Sequence, residues 1–149
     1  MSEFKNIKIR PMKIEDYDEI FAMWQITTKR ALSAADSREN IEFYLNRNPG
    51  MSQVALVDGK IVGTVLCGHD GRRGFIHHMA VAEEYRRHSI AKRMALTALE
   101  ALEKDGIKKT HIFCYTNNNL GQSFWTALGW QKRDDVFVFS YTENKGSTE

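Results

Sequence analysis

Apolar residues recur along this chain with two periods, and each change of period marks a new element. Ile7-Lys-Ile-Arg10 alternates and stops at Pro11, which predicts a short strand. Tyr17, Ile20, Phe21 and Trp24 are spaced by three and four, one face of a helix. Ile41, Tyr44 and Leu45 mark a second helix that ends near Asn48-Pro49-Gly50. The runs Val54 to Val57 and Ile61 to Cys67 flank Asp58-Gly59-Lys60, which predicts a hairpin. A glycine-rich loop from Gly68 to Gly74 leads into a strand from Phe75 to Val81. Ile90, Met94, Ala98 and Leu102 share a face of a long helix that stops near Gly106. Thr110 to Tyr115 is β-rich, Asn118 to Leu128 reads as a shorter helix closed by Gly129, and Val136 to Thr142 reads as a final strand.

The predicted order is β-α-α-β-β-β-α-β-α-β-β. It describes one α/β domain over residues 1–142, a central mixed sheet flanked by helices, followed by a polar, mobile tail over 143–149. No internal repeat or linker interrupts it. The strand 75–81, helix 88–104 and strand 110–115 predict a right-handed crossover between parallel strands. Ligands of such units sit at the carboxyl ends of the strands, which puts the Tyr85 to Ala91 turn at a ligand site.

Composition narrows the class further. The chain has 149 residues, 42% hydrophobic and 27% charged with only 2 prolines, so most of it is expected to fold around a core. A net charge of +2 is too small for general affinity toward nucleic acid or membranes. No apolar stretch is long enough for a transmembrane helix, and Met1-Ser-Glu-Phe-Lys-Asn lacks the apolar core of a signal peptide. Cys67 and Cys114 lie in apolar strand-like runs with no metal-ligand spacing. A reduced, cytoplasmic protein without a metal is expected.

The run from Met79 to Met94 carries the chemistry: a strand end, a short basic turn and the start of a helix. An opening helix offers unpaired N–H groups and the positive end of its dipole, which together bind phosphates. Arg86, Arg87 and His88 lie in the turn, with Lys92 and Arg93 one turn on, so an anionic ligand is expected there.

Over nearly its whole length the chain resembles the GCN5-related N-acetyltransferase superfamily, whose members move an acetyl group from acetyl-CoA to an amine. The family's phosphate turn reads Arg/Gln-x-x-Gly-x-Gly/Ala, and Arg86-Arg-His-Ser-Ile-Ala91 fits it except that Ser89 replaces the first glycine. Ile76-His-His-Met-Ala-Val81 and Asn118-Asn-Leu-Gly-Gln-Ser-Phe-Trp-Thr-Ala-Leu-Gly-Trp130 are similar to two further family segments. The resemblance implies an acetyl-CoA site. Backbone N–H groups of Arg87, His88, Ser89, Ile90, Ala91 and Lys92, beside Arg86, would cradle the pyrophosphate. The pantetheine arm would pair with the strand edge at Met79, Ala80 and Val81, where a family bulge splays the strand from its neighbour. The N–H near Met79 would polarise the thioester carbonyl. Ser89 adds a side chain where glycine allows close approach, but also a hydroxyl suited to capping the helix.

The resemblance also implies a direct attack by the amine in a ternary complex. An alkylamine with pKa ~10.4 is almost wholly protonated at neutral pH, so a base is needed. His77 and His78 lie beside the implied thioester on a strand whose side chains alternate between faces, and His77 is the preferred base. Many family members protonate the leaving thiolate with a tyrosine, but Phe124-Trp125 stands there, and indole has no titratable proton. Tyr115 is the candidate replacement, with water as the alternative. Trp125 and Asn118 are candidate contacts of the arm, with core packing and helix capping as their ordinary roles.

On the acceptor side Trp24, Thr28, Phe43 and Tyr44 are candidates, with core packing favoured for the aromatics. Asp36 followed by Glu39 reads as a helix cap rather than an ammonium site. The acceptor class is a primary amine on a small molecule, an amino acid or a protein N-terminus. A domain that binds or senses acyl-CoA without efficient transfer is the second reading, motivated by Ser89 and Trp125. Glu100 and Glu103 on helix 88–104 argue against nucleic acid as a partner. The run Val136 to Tyr141 is apolar on both faces, which fits pairing in a homodimer and burial in its own sheet equally.

Overall fold

The computed structural model describes residues 6–143. The chain divides into two compact units, Met1–Ile112 and Phe113–Glu149. The first contains strand β1 (Ile7–Pro11), helices α1 (Tyr17–Thr27) and α2 (Arg38–Arg47), strands β2 (Gln53–Val57), β3 (Lys60–His69) and β4 (Gly74–Val81), helix α3 (Ile90–Lys104) and strand β5 (Thr110–Ile112). Its sheet has the order β1-β2-β3-β4-β5, antiparallel except for the parallel pair β4–β5. This is the mixed sheet that the hydrophobic periods predict, with α3 as the crossover between the parallel strands.

Two apolar layers lie on the two faces of β3, whose alternation is reset between Ile61 and Gly63, where two steps of β3 face the single step from Leu56 to Ala55 of β2. Ile61 and Leu66 join Tyr17, Ile20 and Trp24 of α1 and Ile41 of α2 in one core. Cys67 faces the other way, its thiol 4.0 Å from the Ala98 carbonyl of α3, and burial pushes that thiol up to about 12. Gly63 lies on the α3 side as well. A Cβ there would stand 2.9 Å from Met94 Cε and 3.3 Å from Ala55 and Ile90, so glycine lets α3 press onto the sheet. The hairpin between β2 and β3 turns through Asp58 and Gly59 at φ 51° and 80°, the left-handed pair a two-residue turn requires.

The second unit holds helix α4 (Asn119–Ala127). Asn118 caps it, its side chain accepting the Gly121 N–H at 2.9 Å, and Gly129 at φ 91° ends it. Two sequence expectations fail. The β-rich run 110–115 is a strand only to Ile112, and neither of the two terminal strands forms among the described residues. Phe137 and Phe139 are 88% and 93% exposed. A β-propensity is a fitness for a half-buried pleat, and a run with no laddered neighbour does not realise it. Of the tail, 144–149 lies outside the described residues. Among the described residues no helix is long and apolar enough to cross a membrane.

Candidate active site

The site is organised by an irregularity in β4. Thr64 lies opposite Ala80 and Leu66 opposite His77, so two steps along β3 face three along β4. The extra residue is a bulge at His78, whose φ of 47° is left-handed. The parallel ladder to β5 runs only from Gly74 to Ile76, pairing with Thr110 to Ile112. Beyond Ile76 no strand among the described residues of this unit ladders to that edge of β4, which leaves Met79, Ala80 and Val81 on an open edge within the unit.

The bulge also overturns an expectation of alternation. His77 lies opposite Leu66, a member of the α1/α2 core, and meets the Tyr44 ring edge-on at 6.5 Å. His78 stacks on Trp24 at 4.5 Å. Both imidazoles therefore face the α1/α2 layer, because an inserted residue resets the pleat. Burial, and then the neighbouring His78, hold the His77 pKa below its ordinary value.

His78 sits in a closed polar network. Its Nε2 lies 2.9 Å from Asp36 Oδ1, with the two side chains only 7% and 8% exposed. Asp36 Oδ2 accepts the Ser33 N–H at 3.1 Å, and the Asp36 carbonyl accepts the Tyr17 hydroxyl at 2.7 Å. Trp24 donates its indole N–H to Thr64 Oγ1 at 2.9 Å, and Thr64 donates to the His78 carbonyl at 3.1 Å. Asp36 is thus no cap of α2. Ser37 fills that role by accepting the Asn40 N–H, and Asp36 serves the bulge from 42 residues away. Sequence reasoning missed Thr64; its signal was a lone hydroxyl inside the apolar run Ile61 to Cys67.

After β4 the chain passes through the turn 82–89 into α3. The Arg93 N–H closes the first helical bond, to Ser89 O at 3.0 Å. The N–H groups of Ile90, Ala91 and Lys92 therefore have no carbonyl one turn back within the helix. Arg87 and Ser89 take left-handed φ values of 69° and 64°. Ser89 is the N-cap residue of α3, but its hydroxyl makes no capping hydrogen bond, contrary to the expectation for it. The basic cluster also divides. Arg86 spends its Nε on the Val81 carbonyl at 2.9 Å, bracing the strand end against the turn, and Arg93 reaches Ile7 O at 3.4 Å. Arg87 and Lys92 are exposed, His88 is half-buried, and Ile90 contributes only backbone, its side chain being buried. Helix amides, an unladdered strand edge and a peptide turned out of the ladder at the bulge fit a ligand that carries phosphates at one end and an amide-bearing arm at the other.

On the acceptor side Trp24 is core and Asp36 is held by His78, while Phe43 is exposed. Thr28 returns its hydroxyl to the Trp24 carbonyl at 3.3 Å. Tyr44 carries the one buried side-chain polar atom without a hydrogen-bond partner among the described residues, and burial raises the pKa of its hydroxyl. Within the second unit, Asn118 is engaged as the α4 cap, and Trp125 packs against Phe124 and Trp130 at 4.9 and 4.5 Å. Tyr115 is half exposed there, and its carbonyl accepts the Asn118 N–H at 3.0 Å.

Known proteins share this fold. An acetyltransferase of Sodalis glossinidius (strain morsitans) is 26% identical over 132 residues, covering 89% of this chain and 92% of its own. PaiA N-acetyltransferase from Thermoplasma acidophilum, solved with coenzyme A, superposes with a TM-score of 0.75 at 20% identity, covering 89% of this chain and 94% of its own. AAC(6')-Iy, solved with a bisubstrate analogue, superposes with a TM-score of 0.76 at 16% identity, covering 93% of this chain and 99% of its own. The model of the acetyltransferase (GNAT) family matches residues 15–130, from the start of the first helix through α4. With bulge, open edge and helix turn all inside that span, the chain belongs to the GNAT acetyltransferase family.

Proposed function

We propose that the chain is an N-acetyltransferase that moves an acetyl group from acetyl-CoA to a primary amine by direct attack in a ternary complex. The observation that carries this reading is the bulge at His78 beside an unladdered β4 edge, directly preceding the open N-terminal turn of α3. The N–H groups of Arg87 to Lys92 hold the pyrophosphate, and Arg87 and Lys92 supply positive charge. The edge at Met79 to Val81 pairs with the amide arm, and the Met79 N–H faces the thioester carbonyl as charge develops on it. His77 accepts the amine proton. Its burial favours the neutral imidazole, the form a base needs at neutral pH. Tyr115 or water returns a proton to the departing thiolate, whose pKa of ~8.5 makes it a tolerable leaving group unaided.

Two left-handed non-glycine residues in the phosphate turn favour a second reading, a domain that binds acyl-CoA with little transfer. An assay of CoA release over a panel of amines separates the two. The transferase reading expects release that depends on the amine. Tight acetyl-CoA binding without release for any acceptor supports the sensor. His77→Ala is expected to lower kcat by about 10²–10³ at neutral pH, within the range of a lost general base.

A further inference from the structure

Thr64 has a single hydroxyl proton, and its direction is dictated. The indole N–H of Trp24 can only donate, so Thr64 Oγ1 must accept there, at 2.9 Å. The proton is left for the His78 carbonyl at 3.1 Å. That carbonyl belongs to the 78–79 peptide, which, like all described peptides, is not cis. In a trans peptide the C=O and N–H point in opposite directions. Fixing the His78 oxygen toward β3 therefore fixes the Met79 N–H away from it, toward the edge where the β5 ladder has already stopped at Ile76.

We propose that Thr64 is a positioning residue of the acetyl-transfer step: held by Trp24, it aims the Met79 N–H at the thioester carbonyl. The inference rests on the acetyl-CoA reading above. The left-handed φ of 47° at His78 is what turns this peptide out of the regular ladder, and a non-glycine residue holds such a backbone only where its surroundings impose it. The surroundings do so from three sides. Trp24 stacks on the His78 ring, Asp36 Oδ1 meets its Nε2, and Thr64 takes its carbonyl. Thr64 touches neither substrate in this scheme; it acts through the backbone of its neighbour strand.

The test compares Thr64→Val, Thr64→Ser and Thr64→Cys with the wild type, measuring kcat from CoA release, acetyl-CoA Kd by calorimetry and the thermal midpoint. Thr64→Val keeps the shape and removes the donor; its kcat should fall about 10- to 100-fold while Kd stays within about twofold, since only a donor made for the developing charge is misdirected. Thr64→Ser restores the hydroxyl and should return kcat to within about threefold of wild type. If Thr64→Val does not fold, Thr64→Cys carries the test. Its weak S–H donor should cost about tenfold in kcat at unchanged Kd. A folded Val or Cys variant with wild-type kcat, or one whose kcat loss is matched by its loss of Kd, overturns the proposal alone. A wild type that binds no acetyl-CoA overturns the acetyl-CoA reading and this proposal together.

Discussion

Ser89 begins α3 with a φ of 64° and a hydroxyl that caps nothing. A left-handed L-residue costs roughly 1–2 kcal/mol, and glycine returns about half of that as unfolded-chain entropy. Ser89→Gly is therefore expected to stabilise the protein by about 0.5–1 kcal/mol, a rise of about 2 °C in a calorimetric scan. Ser89→Val, β-branched at the same φ, is expected to lower the midpoint. His77 supplies a second residue-scale prediction. Its folded pKa lies below its unfolded one, so the unfolded chain binds the proton more readily. The stability it contributes is complete above about pH 6.5 and is lost as pH falls from there through the folded value. Denaturant titrations of His77→Phe should show a shallower loss as pH falls below ~6.5 than the wild type; identical slopes would contradict it. At this scale the sequence was only partly legible. Local chemistry was readable where partners are near, as for Asn118 capping α4. Asp36 was misread because the spacing to Glu39 satisfies a capping pattern, while its actual partner, His78, lies 42 residues on and leaves no local trace.

Among the elements, β4 and α3 carry the proposed site, and both were visible as apolar runs in the sequence. The bulge within β4 was not. It is made by histidine rather than glycine, so nothing in the run 76–81 departs from strand composition, and the insertion shows only in the pairing with β3. The close packing of α3 onto β3 is the elemental feature that a single change can break. Gly63→Val would drive a branched side chain into Met94, Ala55 and Ile90. Overpacking of this kind costs about 1–3 kcal/mol. The expected result is a lower denaturation midpoint with an unchanged denaturant slope, and an unchanged midpoint would refute the packing described here.

In the whole molecule the order β-α-α-β-β-β-α-β-α follows the predicted one, because each of those elements has an apolar pattern that matches its own burial, one-faced in the helices and nearly continuous in β2 and β3. The pattern fails after α4, where Val136 to Tyr141 has the composition of a strand but no pairing partner among the described residues. Such an exposed β-prone run is a site for association. Phe137→Lys with Phe139→Lys is expected to raise solubility and leave the thermal midpoint within about 1 °C, read by light scattering and calorimetry. The central claim, that the bulge in β4 and the turn into α3 form one acetyl-CoA site, is tested most directly by titrating acetyl-CoA into the ¹⁵N-labelled protein. Amide shifts concentrated on Met79 to Val81 and Arg87 to Lys92, saturating at one equivalent, are the predicted result. Saturable shifts confined to other segments, or none, would contradict it.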